Sequence, residues 1–142
     1  MRILKIKLDI GAKLPTYAHG DDAGMDLYCK ENEIHIVPPK SSVIIDTGVH
    51  IAIPKGYFGD IRAKSGMLCK CDILSTGTID SGYTGSIKVK LINLGEKDFV
   101  VGDGEKISQM VITPYVKADF EIVNKLEETE RGEHGFGSTG RR

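Results

Sequence analysis

The residues most suited to chemistry stand in one run, Arg131-Gly132-Glu133-His134-Gly135-Phe136-Gly137-Ser138-Thr139-Gly140. Arginine offers phosphate a planar bidentate fork, and serine and threonine hydroxyls donate to phosphate oxygens. Glycines let backbone N–H groups come close to an anion. Phe136 adds a flat apolar face of the kind that stacks on a base. The mixture describes a mobile arm that closes over a nucleotide carrying several phosphates, although a plain Gly/Ser tail has a similar composition. Two familiar spacings fail on context. Gly135-x-Gly137-x-x-Gly140 needs a strand before it and a helix after it to bind a dinucleotide, and only Arg141 and Arg142 follow. Gly132-x-x-x-x-Gly137 has Ser138 where a P-loop needs lysine.

Four further segments carry candidate groups. Gly77-Thr78-Ile79-Asp80-Ser81-Gly82-Tyr83-Thr84-Gly85 continues through Lys88 to Asn93. It reads as a hairpin that presents an acid and a tyrosine at one end. Asp80 is either a turn-stabilising Asx residue or an active carboxylate, and Tyr83 either a packing residue or a ligand contact. Arg62-Ala63-Lys64-Ser65-Gly66-Met67 combines cations, a hydroxyl and a glycine, as an anion nest at a helix start would; Ser65 also reads as a plain helix N-cap. Gly104-Glu105-Lys106-Ile107-Ser108-Gln109-Met110 sets Gln109 in an apolar run, either on an exposed edge or aimed at a ligand. Ala23-Gly24-Met25-Asp26-Leu27-Tyr28 sets one carboxylate among apolar neighbours.

The elements that must position these groups are short strands. Leu4, Ile6, Leu8 and Ile10 alternate with charged residues; Val49, Ile51 and Ile53 alternate around His50 and Ala52, Ile87, Val89, Leu91 and Asn93 alternate with Lys88, Lys90 and Ile92, and Phe120 and Ile122 follow the same rule. A period of two marks half-buried strands. Turn residues punctuate them at Gly20-Asp21-Asp22, Pro38-Pro39, Pro54-Lys55-Gly56, Ser81-Gly82 and Gly102-Asp103-Gly104. Many short strands at this spacing predict an all-β sandwich, jelly roll or barrel, with one brief helix around Ser65–Lys70. The folded core is expected at 1–124, and a linker with its arm at 125–142. At 142 residues the chain is long enough for one domain with a real core. A net charge of −1 argues against polymeric nucleic acid as a partner. No stretch has the apolar length of a membrane span, and the N-terminus lacks a signal-peptide core. Three cysteines, an odd number without zinc-ligand spacing, fit a reducing, cytoplasmic setting.

The order AGMDL, KSGM, GTIDSGYTG with a trailing Asn93, GEKISQM and RGEHGFGSTG resembles the trimeric dUTPases, the dUTP pyrophosphatases, over residues 23–140. The resemblance implies a distorted jelly roll and a homotrimer with three shared active sites, the arm reaching a neighbouring subunit. It implies Mg²⁺-dependent hydrolysis of dUTP to dUMP and pyrophosphate, which keeps uracil out of DNA and supplies dUMP for thymidylate synthesis. Asp80 would be the general base for a water attacking the α-phosphorus, and Tyr83 would pack under the deoxyribose. Gly77, Ile79 and the strand carrying Lys88 would read uracil through the main chain. Lys64, Ser65 and Gly66 would hold phosphates, with Gln109 on the α-phosphate. Asp26 would bind water around Mg²⁺. Arg131, Gly137, Ser138 and Thr139 would close on the γ-phosphate, and Phe136 on uracil.

Departures from the family pattern are Lys64 for arginine, Glu105-Lys106 for Asp-Arg, and His134 for glycine. Lysine keeps the charge and loses the bidentate fork. Two other functions fit parts of the pattern. The dCTP deaminases share the fold but usually lack the tyrosine and the phenylalanine-bearing arm, so Tyr83 and Phe136 favour dUTP hydrolysis. A nucleotide-gated contact with a regulatory protein partner is compatible with the same residues, and the presence of Asp80 argues that catalysis accompanies it. His19, His35 and His50 read as surface or satisfied strand positions.

Overall fold

The computed structural model describes residues 3–142, so Met1 and Arg2 of the N-terminal segment lie outside the described residues. Eleven strands and one short helix follow in the order β1 (Lys5–Leu8), β2 (Gly24–Tyr28), β3 (Ile34–Val37), β4 (Ser42–Asp46), β5 (Val49–Ala52), β6 (Tyr57–Arg62), α1 (Ser65–Cys71), β7 (Ile73–Leu74), β8 (Thr76–Ile79), β9 (Lys88–Asn93), β10 (Phe99–Gly102) and β11 (Lys106–Pro114). All pairings are antiparallel. The sheets run β2-β11-β6-β8, β4-β9-β7, β10-β3 and β1-β5. The all-β expectation with one brief helix is met.

The period of two fixes which faces meet. Val49, Ile51 and Ile53 are buried, as are Ile87, Val89, Leu91 and Asn93. All but Asn93 join Met25, Leu27, Ile45, Ile61, Ile73, Ile107 and Met110 in one core. Burying each such apolar side chain contributes about 1.5–3 kcal/mol before the entropy of ordering it is counted. Asn93 is the polar member. Its amide donates to the carbonyls of Val37 and Lys97 (2.9 and 2.7 Å), and its Oδ1 accepts from Gly95 N–H. It staples the loop after β9 to the end of β3. No helix among the described residues is long and apolar enough to cross a membrane.

Four local readings are corrected. The first strand ends at Leu8, and Ile10 is fully exposed in the turn after it. The 77–93 segment does turn at Asp80–Tyr83, where Tyr83 N–H donates to Asp80 C=O at 3.0 Å. Its two strands then part: β8 pairs with β6, while β9 pairs with β4 and β7. Residues 83–87 carry the chain from one sheet to another, so this is a crossing and not a hairpin. At α1 the N-cap is Lys64, with no side-chain cap, and Ser65 is the first helical residue. Phe120 and Ile122 lie in no strand and are 94% and 98% exposed. β11 stops at Pro114, which has no N–H to extend a ladder. Alternation tells which face a strand would bury, but it does not supply a partner strand.

Candidate active site

Three neighbouring strands build a charged centre around Asp26. In β11, Gln109 stands opposite Asp26 of β2 on one side and Arg62 of β6 on the other. Lys106 begins β11, and Lys64 stands two residues beyond the end of β6. The Asp26 carboxylate is buried at 2% exposure. Lys64 Nζ donates to its Oδ1, and Lys106 Nζ lies 2.8 Å from Oδ2. Burial alone would push this carboxyl up. Hydrogen bonds from Lys106 and Lys64, with their charges, more than offset that and hold it below the ordinary carboxylate value. The Lys106 ammonium is raised in turn, first by its hydrogen bond to Asp26 and then by that carboxylate's charge.

Gln109 is fixed against this centre. Its Nε2 donates to Ala63 C=O at 3.0 Å. A Cβ at Gly24 would stand 2.3 Å from its Oε1, so the glycine clears the space in which this amide lies. Beside it, buried Ser108 donates to Arg62 C=O at 2.8 Å and shares a 2.7 Å contact with Ser75. These bonds brace β11 against β6 where Lys64, Ser65 and Gly66 emerge. Ser65 and Gly66 are exposed, and nothing lies within 4 Å of a Cβ built on Gly66. The packing of the chain does not require glycine there.

The second group sits at the end of β8. This strand is at the sheet edge and, among the described residues, pairs only with β6, Gly77 opposite Ile61 and Ile79 opposite Gly59. One side of its main chain is thus free of strand partners, which is the condition for a ligand to be read by backbone N–H and C=O groups. Asp80 follows, exposed, in a shallow surface pocket with Phe58, Thr78 and Tyr115. Tyr83 folds back over Gly85, where a Cβ would stand 2.5 Å from its hydroxyl oxygen; that hydroxyl donates to Ser86 C=O at 2.8 Å. Lys88 lies in the other sheet, opposite Asp46.

The arm hydrogen-bonds within itself. It is a series of turns closed on themselves, with Arg131 Nε donating to His134 C=O at 2.7 Å and Ser138 N–H to Gly135 C=O at 3.2 Å. Phe136 is fully exposed in the left-handed region at φ 50°, between turns whose Gly132, Gly137 and Gly140 also have positive φ. A phenylalanine in that conformation is strained. Sequence reasoning placed Lys106 only as a conserved charge and gave His50 no role. Lys106 proves to be a partner of Asp26. His50 proves to join Asp9 to Thr84.

For a metal, the described residues offer two arrangements. Cys29, Glu33 and His35 bring ligand atoms within 4.8 Å of one another, but they lie at the β2–β3 connection and include none of the residues above. Asp26 offers hard carboxylate oxygens suited to magnesium, both now held by lysines.

A family model for dUTPase matches residues 11–140. The deoxyuridine 5'-triphosphate nucleotidohydrolase of Clostridium tetani (strain Massachusetts / E88) is 51% identical over 142 residues, covering 97% of each chain. That of Anaplasma marginale (strain St. Maries) is 41% identical over 143 residues, covering 99% of this chain and 97% of the relative. Among solved structures, the Staphylococcus bacteriophage 80alpha dUTPase with dUPNHPP superposes with a TM-score of 0.91 at 29% identity, covering 99% of this chain and all of that one.

Proposed function

The chain belongs to the dUTPase family, and from that membership we infer that it hydrolyses dUTP to dUMP and pyrophosphate with Asp80 as general base. Asp80 takes a proton from water as the water oxygen bonds in line to the α-phosphorus. The bond from that phosphorus to the oxygen bridging to the β-phosphate breaks, and pyrophosphate leaves. The observation that carries this assignment is the placement of Asp80, an exposed carboxylate directly after an edge strand whose main chain is free on one side.

The other residues divide the substrate among them. Gly77 and Ile79 read uracil by main-chain bonds, and the Tyr83 ring, held over Gly85, supports a sugar without a 2'-hydroxyl. Lys88 stands in the strand that continues from this turn. Gln109 meets the α-phosphate, and Lys64, Ser65 and Gly66 the phosphates beyond it. The arm supplies Arg131, Gly137, Ser138 and Thr139 to the γ-phosphate and Phe136 to the base. Magnesium, when bound, would supply charge neutralisation for the triphosphate. The donor chemistry at Asp26 fits it: an ionised, buried carboxylate flanked by two cations that an incoming triphosphate draws toward itself. Asp26 would then hold water on the ion.

Assembly completes the site. The arm's hydrogen bonds are local to it, and Val116, Phe120 and Ile122 stand 94%, 94% and 98% exposed beyond β11. A homotrimer in which this segment packs on a neighbour accounts for both features. The three cysteines are free, in keeping with a cytoplasmic protein.

Hydrolysis in ¹⁸O-labelled water tests the chemistry. Label appearing in dUMP and absent from pyrophosphate supports attack at the α-phosphorus. Label in pyrophosphate contradicts it.

A further inference from the structure

We propose that His50 is a positioning residue for the nucleoside-binding turn, clamping Thr84 to the end of β1 through both of its ring nitrogens. The proposal rests on the reading of residues 80–86 as that turn. His50 lies in β5, opposite Lys7 of β1. Its Nδ1 is 2.8 Å from Thr84 C=O, and its Nε2 is 3.0 and 3.1 Å from the two carboxylate oxygens of Asp9. A carbonyl and a carboxylate only accept. Both contacts are therefore hydrogen bonds at once only when both ring nitrogens carry a proton.

The clamp completes a short chain of restraints on Tyr83. The far end of the turn is tied down by Ile87 N–H to Val49 C=O (2.8 Å), and by Thr47 N–H and Oγ1 to Ile87 C=O (3.0 and 2.7 Å). Ser86 Oγ donates to Asp46, and the Tyr83 hydroxyl donates to Ser86 C=O. Thr84 is the next residue after Tyr83, and the bond its carbonyl makes is to His50. Of these links only the imidazole changes charge near neutral pH.

The groups facing the ring agree with a charged clamp. The Thr84 carbonyl first, then Asp9, raise the His50 imidazole above its ordinary value, while Lys7 across the ladder opposes them. Lys5 lines the same cleft from β1. From the turn, the group that meets the ring is the uncharged Thr84 carbonyl. A raised value means the clamp is complete below the ordinary imidazole value of about 6.5 and is lost as pH rises through the folded one.

The test is KM for dUTP as a function of pH in the wild type, His50→Gln and Tyr83→Ala. Ionisation of the substrate's terminal phosphate is common to all three and cancels in their ratios. The expected ratio of KM, His50→Gln over wild type, is roughly three- to tenfold near pH 6 and falls toward one by about pH 9. A ratio that is flat with pH overturns the clamp. Tyr83→Ala separates the two layers: raised KM there with a flat His50 ratio removes the clamp alone, while unchanged KM removes the turn's role and the clamp with it. Nitrogen NMR of the labelled wild-type histidines gives a check that needs no variant. Two protonated ring nitrogens on His50 near pH 6.5 are expected, and a neutral ring there overturns the proposal.

Discussion

Lys64 reaches across 38 positions of sequence to the buried carboxylate of Asp26, so that the start of α1 and the centre of β2 share one ion pair. With Lys106 on the other oxygen, one carboxylate organises two cations at the mouth of the site. Asp26→Asn therefore leaves two ammonium groups without their counter-charge. Because both lysines keep partial contact with solvent, the expected loss is roughly 1.5–3 kcal/mol and not the larger penalty of a fully buried orphan charge. Urea unfolding of the two proteins measures it.

The same carboxylate predicts an acid limb. Its folded value lies below the ordinary one, so the stabilisation is present above about pH 4 and is lost as pH falls through the folded value. Stability measured from neutral pH downward should decline more steeply for the wild type than for Asp26→Asn. Parallel profiles would remove Asp26 from the explanation.

Gly24→Ala probes the Gln109 pocket without touching a charged group. The new Cβ would meet Oε1 at 2.3 Å, and the amide must swing away. Because the atom displaced is the tip of a flexible side chain, the fold should tolerate the change, and turnover should fall more than stability. Thermal unfolding alongside steady-state kinetics separates the two.

Truncation after Lys125 should leave the circular dichroism and sedimentation of the protein unchanged while activity collapses, since the arm's hydrogen bonds are local. Phe136→Ala is the milder form. Stacking on a base contributes about 1–3 kcal/mol, so KM should rise roughly five- to 150-fold. Unchanged kinetics in both variants would show that the arm takes no part.

Much of this was legible in the sequence because strand alternation reports burial directly: Ile87, Val89, Leu91 and Asn93 share a buried face as read. The candidate groups were readable as residue types, and they fall partly on strands, as Asp26 and Gln109 do, and partly on turns, as Asp80 does. What the alternation did not carry was pairing. The two strands flanking Asp80 enter different sheets, which depends on the distant Val49 and Thr47 holding Ile87. Phe120 and Ile122 alternate without a partner strand among the described residues. Lys106 and His50 were under-read for a related reason: their partners Asp26 and Asp9 lie far off in sequence, and only the strand register brings them together. For His50 the one available signal was an imidazole set between the buried Val49 and Ile51 of a strand.

The measurement that tests the central claim most directly is pyrophosphate release with Mg²⁺ from dUTP, dCTP, dTTP and UTP, by the wild type and Asp80→Asn. The account predicts release selective for dUTP, with a fall of about 10²–10⁴-fold in kcat for a variant that still folds. Equal rates in the two proteins, or turnover without preference for dUTP, would contradict it.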